Sequence, residues 1–165
     1  MSTRHSVRAK TSCLAPAAAN DSALPFARTL EVRDACLCLH VQRAARALAR
    51  RFDEVLRPLD LTSGQFSLLM SLNRPEPPTI GSVADLLAMD RTTLTANLKP
   101  LERRGLVDVV VDEEDKRSRR LVITPAGRAL LARAYPLWRE THTTVEFKIA
   151  PGSADDLRAA LTALV

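Results

Sequence analysis

The segment MDRTTLTANLKPLERRGLV, residues 89–107, carries short polar side chains beside a stripe of leucines. Leu94, Leu98 and Leu101 recur at the spacing of one helix face. Threonine and asparagine are poor helix formers, but they suit contacts with base edges, and lysine and arginine suit contacts with phosphates. An ordinary exposed helix is the alternative interpretation. The candidate DNA-contacting residues are Arg91, Thr92, Thr93, Thr95, Asn97 and Lys99.

A second cluster of polar residues follows in the segment DEEDKRSRR, residues 112–120. A basic loop tip can place an arginine in a narrow minor groove, where the negative potential is strongest. We expect Arg117 to take that position and the carboxylate of Asp115 to orient its guanidinium. The acidic residues 112–115 equally fit a solvated turn, because they repel phosphates unless they point away or pair with the arginines. The basic residues are Lys116, Arg117, Arg119 and Arg120, and the first three are further candidates for DNA contact.

The composition favours an anionic partner and argues against an enzyme. The net charge is +5, which suggests double-stranded DNA or another nucleic acid ahead of a membrane surface. No apolar run approaches the ~18 residues of a membrane span, and the N-terminus lacks the apolar stretch of an export signal. His5, His40 and His142 are scattered, without a recognisable catalytic or metal-binding motif. We therefore expect a cytoplasmic protein that is not an enzyme and has no cofactor, metal or membrane partner.

Apolar spacing divides the first half of the chain into helices. Residues 1–29 lack periodicity and are typical of a flexible arm. Apolar residues then step by three or four along residues 31–57, which predicts one long amphipathic helix. Thr62 and Gln65 form a capping box for a second helix, and the prolines of NRPEPP end it. A third helix follows, with Ile80, Val83, Ala84, Leu86 and Leu87 expected to face inward.

The helix with the polar face comes next, and a hairpin follows it. Asp90 is placed to cap this helix, Gly105 to end it, and Pro100 to bend it. The apolar, β-branched runs LVDVVV and RRLVIT predict two strands joined by the charged tip. A long helix and, after a break at Gly152 and Ser153, a short one complete the chain. This order predicts a mainly α protein: a winged helix-turn-helix with a two- or three-stranded β wing and helical ends.

Residues from about Glu31 to Val165 resemble the MarR family of bacterial transcriptional regulators. DRTTLTANLKPLERRGLV is similar to the family's recognition helix, DEEDKRSRRLVITPAG to its wing, and LDLTSGQFSLLMSL to its second helix. The resemblance implies a homodimer on a palindromic operator, often released by a small aromatic or acidic effector. It implies that residues 30–165 form one domain, with dimerisation helices over 30–60 and 125–165 and the winged helix-turn-helix over 61–124.

The family's functional positions carry over to particular residues here. Arg117 falls at the position of the wing tip that enters the minor groove. The base-reading positions fall on Thr92, Thr93, Thr95 and Asn97. The dimer has separate support, because Leu161, Leu164 and Val165 at the chain end need an apolar partner surface unless they pack within the chain.

A thiol switch is an alternative to ligand control. One branch of the family senses organic hydroperoxides through a cysteine near the start of the first long helix, where this chain has Cys38 and Cys36. Cys13 or a cysteine of a partner chain could then resolve a sulfenic acid. That branch has a tyrosine where this chain has Ser63 and Gly64, and cysteine is often an inert buried residue.

The remaining predictions concern a ligand pocket and a rival use of the fold. His40, Phe66 and Met70, with Trp138, are candidates for lining an effector pocket, although core packing accounts for such residues as well. We expect a sequence-specific DNA-binding regulator, acting as a ligand-responsive repressor. A winged helix used for protein contact is the rival interpretation, and salt-dependent binding to duplex DNA separates the two.

Overall fold

The computed structural model describes residues 23–149 and 153–165, and it divides into two compact units, residues 1–40 and 41–165. A mainly helical chain with one antiparallel hairpin confirms the predicted fold class. A 3-10 turn, Arg57–Leu59, follows the second helix. The other elements are α1 (Phe26–Ala35), α2 (Leu37–Leu56), α3 (Ser63–Leu72), α4 (Ile80–Leu86), α5 (Arg91–Arg103), β1 (Val107–Val111), β2 (Arg119–Ile123), α6 (Pro125–Glu146) and α7 (Ser153–Thr162).

The first unit contains α1 and the first turn of α2. The prediction of one helix over residues 31–57 is wrong at Cys36, where extended backbone separates α1 from α2. The sulfur of Cys36 accepts the backbone N–H of Leu39 at 3.4 Å, and its carbonyl oxygen accepts that of His40 at 3.1 Å. Cys36 therefore occupies the N-cap position of α2. Of the predicted arm, residues 1–22 lie outside the described residues, and α1 begins within its remaining part.

In the second unit, the leucines of α5 enter a core that α3, the two strands and α6 complete. Leu94, Leu98 and Leu101 are at most 2% exposed. The predicted capping box is confirmed, because Thr62 Oγ1 accepts the N–H of Gln65 at 3.2 Å and Gln65 Oε1 accepts that of Thr62 at 3.1 Å. The short helix α4 buries only Val83 and Ala84 completely. Leu86 is 59% exposed, so the prediction that it faces inward is wrong.

The hairpin pairs β1 and β2 from Val107 opposite Ile123 to Val111 opposite Arg119. A short extended segment before α4 joins its other edge. The N–H of Leu121 donates to the carbonyl oxygen of Pro78 at 2.9 Å, and Thr79 forms an isolated bridge with Arg120. The wing therefore has two full strands and a single bridging residue as a partial third.

A close backbone approach joins α6 to the start of β1. Thr124 caps α6, and its hydroxyl donates to the carbonyl oxygen of Gly105 at 2.7 Å. Gly105 has a φ of +65° and ends α5 as predicted. A Cβ on Gly127 would lie 2.2 Å from the carbonyl oxygen of Leu106, so only glycine fits at this crossing.

The last two helices leave apolar side chains exposed. α6 ends at Glu146, before the predicted break, whose Gly152 lies outside the described residues. α7 buries no side chain completely. Its apolar residues and those of the chain end are exposed by 40–90%: Leu157, Leu161, Leu164 and Val165. None of the helices within residues 23–149 and 153–165 combines the length and the apolar character that a membrane span requires.

Candidate nucleic-acid interface

The face of α5 opposite its leucines is exposed along the whole helix. With about 100° of rotation per residue, the positions farthest from the buried stripe are four residues in a row along the axis. All four are exposed: Thr92, Ala96, Lys99 and Arg103. Sequence reasoning singled out Thr92 and Lys99 but missed Ala96 and Arg103. The position opposite the leucines, and not polarity, was the signal that would have found them.

The N-terminus of α5 is held by Asp90, which confirms the predicted cap. Its Oδ1 accepts the backbone N–H of Thr93 at 2.8 Å, and its Oδ2 accepts the hydroxyl of Thr93 at 2.6 Å. These bonds from Thr93 hold the pKa of Asp90 below its ordinary value. The cap therefore contributes stability above the ordinary pKa and loses it only as the pH falls through the lowered one. At neutral pH the start of the helix is fixed.

Two of the candidate threonines donate their hydroxyl hydrogen to acceptors within the protein. Thr93 donates to Asp90, and Thr95 donates to the carbonyl oxygen of Arg91 at 2.7 Å. Each exposed hydroxyl then offers an acceptor oxygen and a methyl group. Such a side chain can accept a hydrogen bond from an adenine or cytosine amino group, or contact the methyl group of thymine.

Arg91 and Asn97 lie away from the centre of the outward face. The guanidinium of Arg91 lies near Gly81 of α4, where an added Cβ would be 3.5 Å from Nη2. Asn97 is half-buried beside the leucine stripe. The structure thus places Thr92 and Lys99 at the centre of the face and Asn97 at its edge.

The charged residues of the wing fall into an inward ion pair, which contains one acidic and one basic residue, and an exposed group at the tip. Asp112 is 4% exposed and pairs with Arg120, whose Nε lies 2.6 Å from Oδ2. Lys116 and Arg117 are exposed at the tip. Nη1 of Arg119 donates to the carbonyl oxygens of Lys116 and Ser118 at 3.1 and 3.0 Å, which closes the turn. Pairing of the wing's acidic residues with the arginines was one of the alternatives left open by the sequence, and the structure realises it between Asp112 and Arg120.

The expectation that Asp115 orients the guanidinium of Arg117 is wrong in this structure. Asp115 Oδ1 accepts the backbone N–H of Arg117 at 3.0 Å, and the described residues contain no ion pair between the two side chains. The reason is geometric, since a carboxylate two residues earlier in a tight turn reaches the backbone N–H most easily. Asp115 therefore fixes the backbone of the tip and leaves the arginine side chain exposed.

An apolar cavity of about 380 Å³ lies between α3, α4 and α6. Two of its lining residues, Phe66 and Trp138, stack with ring centroids 6.0 Å apart, and His142 stacks on the indole at 4.7 Å. The structure brings the candidates Phe66 and Met70 together here, and the candidate His40 lies in the first unit, in the first turn of α2. No charged side chain lines it; the lining residues are Phe66, Ser67, Met70, Ser71, Leu86, Leu87 and Trp138.

Comparisons with known proteins agree with this arrangement. A family model described as the MarR family matches residues 61–118. The organic hydroperoxide resistance transcriptional regulator of Bacillus subtilis (strain 168) is 31% identical over 98 residues, covering 59% of this chain and 67% of the relative. The matched segments span 50–67% of the length of the first curated relatives.

Solved structures extend the match over most of the chain. MosR, a transcriptional regulator of M. tuberculosis crystallised in complex with DNA, is 37% identical with a TM-score of 0.68, over 78% of this chain and 92% of that chain. A mutant of MarR from E. coli complexed with operator DNA has a TM-score of 0.73 at 23% identity, over 82% of this chain and 98% of that chain, which shows the fold alone. The chain belongs to the MarR family and is a DNA-binding transcriptional regulator.

Proposed function

We propose that this regulator is a repressor that binds a palindromic DNA operator as a homodimer and leaves it when a small effector fills the apolar cavity. The observation that carries the DNA contact is the outward face of α5 together with the exposed wing tip. Within the described residues, Lys99, Arg103, Lys116 and Arg117 form no ion pair, so their charges are available to phosphates. Selection of bound sequences from random duplex DNA tests the proposal and should return inverted half-sites roughly 10 bp apart.

Arg117 has the wing-tip role in this proposal. We expect Arg117→Ala to lower affinity and to abolish the preference for A·T-rich over G·C-rich flanks, because a guanidinium in the minor groove responds to groove width and potential. The preference within the half-sites should persist, since α5 makes those contacts. Binding titrations on one operator core with varied flanks, at a single salt concentration, measure both. A variant that ranks the flanks as the parent does would remove the minor-groove role.

The apolar face of α7 supports the homodimer. Leu157 and Leu161, exposed by 44% and 40%, share one side of the helix, and Leu164, exposed by 64%, follows directly after its end. We expect Leu161→Glu, or removal of residues 153–165, to yield monomer and to abolish operator binding. Ala159→Glu, on the opposite side of α7, is the matched control and should stay dimeric. Sedimentation velocity distinguishes them, and a discrete Leu161→Glu dimer would contradict the interface.

The lining of the cavity favours an uncharged aromatic effector. A volume of about 380 Å³ suits a small bicyclic ring, and no basic side chain offers a partner to a carboxylate. We expect 1-naphthol to release DNA and to quench the fluorescence of Trp138, the only tryptophan, more effectively than 1-naphthoate. Met70→Phe should weaken both effects while operator binding persists. Equal potency of the two compounds would contradict an uncharged ligand.

A thiol switch is the second candidate, and the N-cap role of Cys36 favours it. A thiolate attacking an organic hydroperoxide becomes a sulfenic acid as the alcohol leaves, and condensation with a second thiol releases water and forms a disulfide. At Cys36 this chemistry would alter the sulfur that accepts the N–H of Leu39. The same DNA-release assay with cumene hydroperoxide separates the candidates. The thiol switch would be favoured over the cavity if Cys36→Ser and Cys38→Ser abolish the release of DNA by the hydroperoxide while Met70→Phe does not.

A further inference from the structure

We propose that Asp112 and Arg120 are positioning residues that hold the wing tip against the loop before α4 and thereby set where Arg117 meets DNA. This inference rests on the proposed minor-groove role of Arg117. Asp112 and Arg120 carry opposite charges and make no contact with DNA in the proposed complex. Their ion pair lies at the base of the tip, between the ends of β1 and β2.

Asp112 organises the tip from within. Its Oδ1 accepts the backbone N–H groups of Glu114 at 2.9 Å and Asp115 at 3.4 Å, while its Oδ2 faces Arg120. A carboxylate whose side chain is only 5% exposed is costly unless such partners compensate it. The backbone N–H of Glu114 and the guanidinium of Arg120 hold the pKa of Asp112 below its ordinary value, so the group stays charged at neutral pH.

Arg120 connects the tip to a distant part of the chain. Its Nε binds Asp112, and its Nη1 donates to the carbonyl oxygen of Pro77 at 3.0 Å. Two backbone contacts join the same strand to the same loop: the hydrogen bond of Leu121 with Pro78 and the isolated bridge of Arg120 with Thr79. One guanidinium thus bridges the tip and the loop.

That loop leads directly into the helix-turn-helix. Thr79 caps α4 by accepting the N–H of Ser82 at 3.1 Å, and the fixed φ angles of Pro77 and Pro78 limit the freedom of the chain before it. A side chain that enters a narrow groove needs the backbone that carries it to be held in place to within about 0.5 Å. The clamp formed by Asp112, Arg120 and Pro77 supplies this for the exposed Arg117.

Arg120→Met tests the clamp, because methionine keeps the apolar stem and removes both hydrogen bonds. We expect its affinity for an operator with A·T-rich flanks to fall about tenfold, with the half-site preference unchanged. Arg120→Lys should recover part of the loss, since an ammonium can pair with Asp112 but lacks the planar fork that also reaches Pro77. Arg133→Met, at an exposed arginine of α6 without an ion pair in the described residues, is the control for lost charge, and sedimentation velocity checks that it stays dimeric, since α6 falls within the expected dimerisation segment.

Hydrogen exchange of residues 112–120 gives a second readout that does not depend on DNA. The backbone amides of Glu114 and Asp115 should exchange faster in Arg120→Met than in the parent protein. If Arg120→Met does not fold, Asp112→Asn takes its place, with the same expected result. Unchanged exchange and unchanged flank preference would overturn the clamp, as would an equal loss of preference in Arg133→Met. If the clamp variants exchange faster but Arg117→Ala keeps its flank preference, the groove contact is refuted. The clamp then remains as a structural feature of the wing.

Discussion

Ala96→Glu should reduce operator affinity by about a hundredfold or more while leaving the fold intact, because a carboxylate at the centre of the outward face of α5 meets phosphates. Ala96 is exposed between Thr92 and Lys99 on that face. Alanine and glutamate are both good helix formers, so the substitution does not disturb the helix itself. Fluorescence anisotropy with labelled operator DNA measures the affinity, and circular dichroism checks the helix content.

Ala132→Glu provides the matched control. Ala132 is exposed on α6, and the substitution changes the net charge by the same amount. Because α6 falls within the expected dimerisation segment, sedimentation velocity checks that this variant stays dimeric. We then expect it to bind within a few-fold of the parent, the remaining difference reflecting general repulsion. Equal losses in the two variants would show that charge alone accounts for the effect. Full binding by Ala96→Glu would mean that another surface meets DNA.

Gly127→Ala should destabilise the protein by about 3 kcal/mol, since an added Cβ would lie 2.2 Å from the carbonyl oxygen of Leu106 and 2.9 Å from Cγ1 of Ile123. The obstacle is backbone, which cannot rotate away as a flexible side chain would. Either α6 or the start of β1 must shift. For a chain of this size the melting temperature should fall by about 6–12 °C, measured by thermal unfolding.

Gly64→Ala makes the same substitution where the chain has room. Its Cβ would have its nearest neighbour, Oγ1 of Thr62, 4.0 Å away within the first turn of α3. We expect a gain of about 0.5–1 kcal/mol, because glycine inside a helix loses more conformational freedom on folding. A Gly127→Ala protein as stable as Gly64→Ala would contradict the close approach of α6 to β1.

Features that depend on neighbours three or four residues apart could be predicted from the sequence. The leucine stripe of α5, the capping box of Thr62 with Gln65, and the Asp90 cap were all confirmed. Each arises within one or two helical turns, so the side chains that decide it are adjacent in the sequence. The two strands and their charged tip were predicted on the same local grounds.

Features that depend on distant parts of the chain required the tertiary structure. From the sequence alone, the guanidinium of Arg120 could equally face solvent or a phosphate. It turns inward because it binds the carbonyl oxygen of Pro77, which is 43 residues away in the sequence. The need for glycine at position 127 comes from the backbone of Leu106, which only folding brings near. Leu86 has an apolar side chain at an inward-reading position, yet it is 59% exposed and lines the open apolar cavity beside α4. For Arg120 and Gly127 the deciding group is remote in the sequence, so local patterns could not predict the outcome.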